Sequence, residues 1–267
     1  MLTRSTGNRA VLCLDIGNSS TGYGVFRGRK LITYGRVPTS NIPIASRKLI
    51  RKIGNIPNIY ILISSVVPKY TYILRKIMLR HPRLRGSPRR IYEVGRSLKV
   101  PIRHNYRSIK KLGSDRLVNA YGAVRKYGAP ILIFDFGTAI TCDYVSRKRV
   151  FEGGLIVPGP EISLKVLCDR AALLPTIPFP KRYRSFIGRD TVGCMKAGVL
   201  QGYGALTDGL IDRFRRRYGP RLRVVATGGL SRLIGSFAKE IDFIDPLLTL
   251  RSLAYLFEEE VIHHSPS

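Results

Sequence analysis

The 267-residue chain has no tryptophan, only three methionines, four cysteines and four histidines, and few acids: 17 Asp and Glu stand against 46 Lys and Arg, a net charge of +29. Cys13, Cys142, Cys168 and Cys194 occur singly, with no CxxC and no Cys/His pair at metal-ligand spacing. That spacing argues against a zinc site and leaves reduced, buried thiols of a cytoplasmic protein as the expectation. Two of the histidines, His263 and His264, sit in a polar tail. No apolar run reaches membrane-spanning length, and Met1 to Ala10 is basic and polar, without the apolar stretch of a signal peptide. Neither GxxxxGK[ST] nor a strand-associated GxGxxG occurs, so two common phosphate-binding loops are absent.

What is present is a 44% apolar chain, long enough for one large or two modest domains. Its basic excess suits a polyanionic partner, and it is uneven. Residues 75–111 hold thirteen Lys or Arg against the single acid Glu93, and residues 213–223 hold six more. No nucleic-acid signature accompanies these runs, so they read as solvated faces, and specific nucleic-acid binding is not expected.

Segments rich in Val, Ile and Tyr alternate with helical patterns, as in an α/β fold. Strands are expected at 11–15, 23–27, 31–37, 59–64, 131–135, 142–145 and 224–226, and helices at 45–53, 68–80, 115–127, 161–172, 191–218, 230–239 and 247–261. One repeat organises them. The stretch from Val11 through Asp15 and Gly17 to Thr21 is echoed 120 residues later by Ile131 through Asp135 and Gly137 to Thr141, with hydroxyls at matching offsets. A unit of that length has the size of a domain, so two similar domains facing each other across a cleft are expected.

In each copy an apolar strand ends in a carboxylate, and a glycine two residues on lets backbone N–H groups and hydroxyls approach a phosphate. A single Asp-x-Gly is an ordinary turn signal; two in matching contexts are harder to obtain by chance. Val224 to Gly229 forms a third strand-to-glycine element.

Together the three elements resemble the two phosphate motifs and the adenosine motif of the acetate and sugar kinase, Hsc70 and actin superfamily. The resemblance implies two duplicated RNase H-like (actin-like ATPase) domains with a central nucleotide cleft. They are expected at 11–114 and 115–257, with the last helix able to pack back on the first and disordered tails at 1–10 and 262–267. The remaining motifs resemble the type III pantothenate kinases: Asp15-Ile-Gly-Asn-Ser-Ser-Thr-Gly22, Gly113-Ser-Asp-Arg116 before Asn119-Ala120, Asp135-Phe-Gly-Thr138, Gly153 to Gly159, Gly188-Arg-Asp-Thr191 and Thr227-Gly-Gly229. They follow the family's order along nearly the whole chain. Ser19 stands where the family usually has Thr and keeps the hydroxyl.

This resemblance implies transfer of a phosphoryl group from ATP to pantothenate, the first step of coenzyme A synthesis. It implies Asp115 as general base, pantothenate held by Tyr106, Gly113, Ser114, Asp115, Arg116 and Thr191, and ATP phosphates with Mg²⁺ held by Asp15, Ile16, Gly17, Asn18, Ser19, Ser20, Thr21, Gly22 and Thr138. Asp135 matches a monovalent cation ligand for K⁺ or NH₄⁺, and the helix from Thr191 a homodimer with shared active sites. Read as residues alone, Asp115 and Thr191 are also possible helix caps, Arg116 a surface arginine, Tyr106 a half-buried aromatic and Asp135 a Mg²⁺ ligand. A nucleic-acid-associated transcription accessory factor, or another small-molecule kinase of the same fold, are the alternative functions.

Overall fold

The structure is a computed structural model that describes residues 9–46, 56, 59–80, 90–183 and 185–262. The chain forms two compact units, one of residues up to 101, 108–122 and from 249 on, the other of 102–107 and 123–248.

In the first unit β1 (Ala10–Ile16), β2 (Ser20–Arg27), β3 (Lys30–Pro38), β4 (Ile59–Ser65) and β5 (Ile91–Glu93) form a sheet ordered β3-β2-β1-β4-β5. The first three strands pair antiparallel, while β4 and β5 run parallel to β1. Alternate residues Leu12, Leu14 and Ile16 of β1 and Ile61 and Ile63 of β4 pack with Leu74 and Met78 of α1 (Pro68–Leu79). Pro68 opens that helix as the sequence suggests, since a first-turn N–H needs no partner. Because strand side chains alternate, Asp15 lies on the other face of the sheet. β1 opens at Ala10, within the stretch expected to be a tail.

β6 (Arg103–His104) and α2 (Ser114–Tyr127) precede β7 (Ile131–Phe136), β8 (Ala139–Val145), β9 (Val150–Pro158), α3 (Pro160–Arg170), α4 (Thr191–Tyr218), β10 (Arg223–Thr227), α5 (Ser231–Gly235) and β11 (Phe243–Ile244). The second sheet is ordered β11-β10-β7-β8-β9-β6. Without β6 it repeats the first sheet strand for strand, with the same two antiparallel and two parallel pairings. This duplicated topology is that of the actin-like ATPases. Leu132, Phe134 and Phe136 bury one face against Leu200 and Ile211 of α4 and Ile234 of α5. α6 (Leu248–Leu256) returns to the first unit, where a methyl on Gly122 of α2 would strike Ser252.

Four strands were not legible in the sequence. β9 carries Gly153 and Gly154, which blur its alternation; Gly153 has φ +110°, and a side chain at Gly154 would collide with the Cys142 carbonyl. β5, β6 and β11 are only two or three residues long. The helix expected at 230–239 closes early, at Gly235, and that expected at 247–261 becomes a π-helical turn after Leu256. Most of the helix expected at 45–53 lies outside the described residues. Of the four thiols, Cys13 and Cys142 are buried, whereas Cys168 is half-buried and Cys194 exposed, a correction to the expectation that all are interior.

Candidate active site

The first Asp-x-Gly turn joins β1 to β2 through Gly17, Asn18 and Ser19, with Asn18 and Ser19 exposed. The Gly17 N–H donates to the Ser20 carbonyl at 3.1 Å. Beneath it the Thr39 hydroxyl donates to the Gly17 carbonyl at 2.7 Å and pairs with the Thr21 hydroxyl at 3.0 Å, while the Thr39 N–H donates to the Ser19 carbonyl. Thr21 and Thr39 are both buried. Thr21 thus sets the shape of the turn and presents its hydroxyl to Thr39. Thr39 itself escaped the sequence reading, because it is eighteen residues from its partner.

Asp15 pairs across the sheet with Gly22 on β2 and Ser64 on β4, so all three share a face. Ser64 is fully buried and its hydroxyl meets that of Ser114 at 3.0 Å. The Ser65 N–H donates to Ser114 Oγ at 3.2 Å. Ser114 therefore fastens the first turn of α2 to the end of β4, next to Asp15. Asp115 follows it, one residue inside the helix and not at its cap. Its Oδ1 accepts from the Arg116 N–H at 2.8 Å. Burial pushes the Asp115 carboxyl above the ordinary carboxylate range, against the opposing pull of that N–H and of the Arg116 charge. A methyl on Gly113 would fall on Asp115 Oδ1, which is the reason for glycine there. Arg116 is buried, not the surface arginine that composition alone allowed.

In the second unit Asp135 is the next-to-last residue of β7 and pairs with Thr141 on β8 and Thr227 on β10. Gly228, at φ +90°, passes so close that any side chain there would strike Asp135 Oδ1. Thr227 is fully buried, and its hydroxyl has no hydrogen-bond partner among the described residues. Thr138 is exposed at the β7–β8 turn, where its carbonyl accepts from the Gly159 N–H at 3.0 Å. Tyr106 is half-buried, its ring tilted against Phe151 at 6.2 Å and lying over Gly153. Thr191 is exposed at the start of α4; the cap is Asp190, which accepts from the Gly193 N–H at 2.8 Å.

The two turns differ in length, three residues against two, so Thr21 lies opposite Ile16 whereas Thr141 lies opposite Asp135. Hydroxyls at matching sequence offsets therefore face opposite sides of their sheets. The two carboxylates do correspond: each is the next-to-last residue of a central strand, beside a buried hydroxyl residue on the neighbouring parallel strand.

The family model described as Type III pantothenate kinase matches residues 11–213, a span that contains both Asp-x-Gly turns, Gly113 to Arg116 and Thr191. The chain belongs to the type III pantothenate kinase family. A type III pantothenate kinase of Geobacillus sp. (strain WCH70) is 36% identical over 261 residues, covering 94% of this chain and 98% of the relative. One of Myxococcus xanthus (strain DK1622) is 37% identical over 255 residues, covering 92% and 97%. Among solved structures, a Campylobacter jejuni protein described as a Baf family transcriptional activator superposes with TM-score 0.56 at 19% identity, covering 93% of this chain and 98% of that one. The ethanolamine utilization protein EutJ of Carboxydothermus hydrogenoformans gives 0.54 at 12% identity, covering 92% and 89%. At these identities the structures speak for the fold alone. No group of three or more His, Cys, Asp or Glu suited to a metal occurs among the described residues, and none of their helices is long and apolar enough to cross a membrane.

Proposed function

We propose that this type III pantothenate kinase transfers the γ-phosphoryl group of ATP to the 4′-hydroxyl of pantothenate, with Asp115 as general base. The observation that carries this is Asp115 itself: a carboxylate whose burial raises its proton affinity, placed by Ser114 at the strand end beside Asp15, with Gly113 leaving it room. In the transfer the bond between the γ-phosphorus and the bridging oxygen breaks and one to the acceptor oxygen forms. The acceptor proton passes to Asp115, and ADP leaves. The buried Arg116 guanidinium suits the pantothenate carboxylate, which it can bind through two parallel N–H groups. Gly113, Ser114, Tyr106 and Thr191 complete the pantothenate contacts on this reading, and Asp15 to Gly22 with Thr138 hold the phosphates.

The strand-end oxygens fit hard cations, as the buried, unpartnered Thr227 hydroxyl beside Asp135 argues for the second unit. Asp15 would hold Mg²⁺ with the phosphates and Asp135 a K⁺ or NH₄⁺ ion, and such ions supply charge neutralisation during transfer. The family resemblance at the helix from Thr191 suggests a homodimer of shared active sites, and the exposed apolar side chains of Ile156, Ile162, Val166 and Leu167, which line a groove of about 840 Å³, suit a contact with another chain. A cytoplasmic location accords with free thiols at Cys168 and Cys194. The deciding experiment measures ADP release with pantothenate against a panel of sugars and acetate. Pantothenate alone should support turnover, and Asp115→Asn should lower it by about 10²–10⁴-fold. A preference for another acceptor would overturn the substrate, and near-normal turnover of the variant would overturn the base.

A further inference from the structure

We infer that Arg36, on the third strand of the first sheet, grips the phosphate chain of the nucleotide. The inference rests on the reading of Asp15 to Gly22 as the phosphate turn. Four residues stand in one row across the sheet: Ser64 on β4, Asp15 on β1, Gly22 on β2 and Arg36 on β3. Directly paired residues share a face, so the Asp15 carboxylate and the Arg36 side chain rise from the same side of the sheet, two strands or about 10 Å apart.

Gly22 lies between them and has no side chain. A methyl there would meet nothing nearer than 3.9 Å, so glycine is not demanded by packing. Gly22 is buried, with Asp15 Cβ and Leu250 Cδ1 each 3.9 Å from where a methyl would stand, and it adds no side chain of its own between the anion and the cation. Ser20, two residues along β2, is on that face too, and Arg36 Nη1 donates to its hydroxyl at 3.2 Å. The guanidinium is thereby drawn over the last residue of the turn, while most of its donors remain available. Among the described residues no carboxylate pairs with Arg36, whereas the exposed Arg216 pairs with Asp212 and the half-buried Arg215 with Glu240 and Asp242. An unneutralised guanidinium tethered beside a backbone turn is suited to phosphate oxygens, which it can bind with two parallel N–H groups. In the second unit the strand corresponding to β3 is β9, and the residue paired with Thr141 there is Ile156, so only the first turn is so equipped.

The test titrates Mg·ATP, Mg·ADP and adenosine by calorimetry into the 267-residue chain as wild type, Arg36→Ala and Arg36→Lys. Arg36→Ala should weaken ATP and ADP by about 10- to 100-fold, the range of a charged hydrogen-bonding pair, and leave adenosine unchanged. Arg36→Lys should fall between, since it keeps the charge and loses the fork. In turnover the KM for ATP should rise and that for pantothenate stay constant. Ser20→Ala, which releases the tether without removing the charge, should raise the KM for ATP by a few-fold and guards against a folding defect at residue 36. Unchanged ATP affinity in Arg36→Ala, in a protein whose wild type phosphorylates pantothenate, would overturn the inference and leave the kinase reading intact. ATP affinity that falls in Arg36→Ala, in a protein that phosphorylates another acceptor, would uphold Arg36 and overturn the substrate instead.

Discussion

Gly113→Ala displaces Asp115 while leaving its carboxylate chemistry unaltered. A methyl at residue 113 would fall on Asp115 Oδ1, while Asp115 Cγ and Val66 Cγ1 would stand at 3.5 Å, ordinary contact. Gly113 is not among the glycines with positive φ, so alanine strains no backbone there. The one group that has to give is the end of the Asp115 side chain, by about 1 Å, and a misplacement of that size costs a catalytic group about 10²-fold in rate. Moving Oδ1 also loosens its 2.8 Å bond from the Arg116 N–H. That loss costs about 1 kcal/mol. Replacing glycine by alanine regains about 0.4–1 kcal/mol through the unfolded chain. Turnover should therefore fall by about 10²-fold while stability changes by less than about 1 kcal/mol. Coupled ADP release and thermal unfolding, run on the same preparation, separate the two. Full activity would show that the position of the carboxylate is immaterial, and a loss of several kcal/mol would show that Gly113 serves the fold.

Asp115→Asn should gain stability over wild type as pH rises. The folded-state carboxyl is raised by burial, so its contribution is fully present below the ordinary Asp value of about 4 and is lost as pH climbs through the raised folded value. Melting temperatures that stay parallel from acid to neutral pH would contradict the burial argument. Thr39→Val removes the hydroxyl that bonds the Gly17 carbonyl and Thr21. It should cost about 1–3 kcal/mol and raise the KM for ATP; an unchanged KM would detach the turn from nucleotide binding. Rates in potassium or ammonium should exceed those in sodium, with the difference lost in Asp135→Asn, and equal rates in all three salts would remove the monovalent site. Inactive Asp115→Asn and Thr191→Tyr chains, mixed and exchanged, should recover activity at about a quarter of all sites if the sites are shared, whereas no recovery after verified exchange would place Thr191 elsewhere.

Much of the site was legible because it is local. Apolar strands followed by Asp-x-Gly mark β1 and β7 directly, and the helix at 191–218 was placed to the residue. Gly113 to Arg116 stood out through family resemblance, not through any physical pattern in those four residues. The short strands β5, β6 and β11 escaped, because two or three residues carry no readable alternation and only a neighbouring strand makes them strands.

By itself the sequence determined seven of the eleven strands, that one unit was duplicated, and which carboxylates stand near the ends of the central strands. These follow from hydrophobic period and turn chemistry within a few residues. Tertiary structure alone decided what each side chain meets. Thr21 and Thr141 match by offset, yet one extra residue in the first turn puts them on opposite faces, because strand side chains alternate with a period of two. Ser114 binds the end of a strand fifty residues earlier, and Arg36 reaches Ser20 across a strand pair sixteen residues apart. Register and packing create these contacts, and no spacing along the chain encodes them.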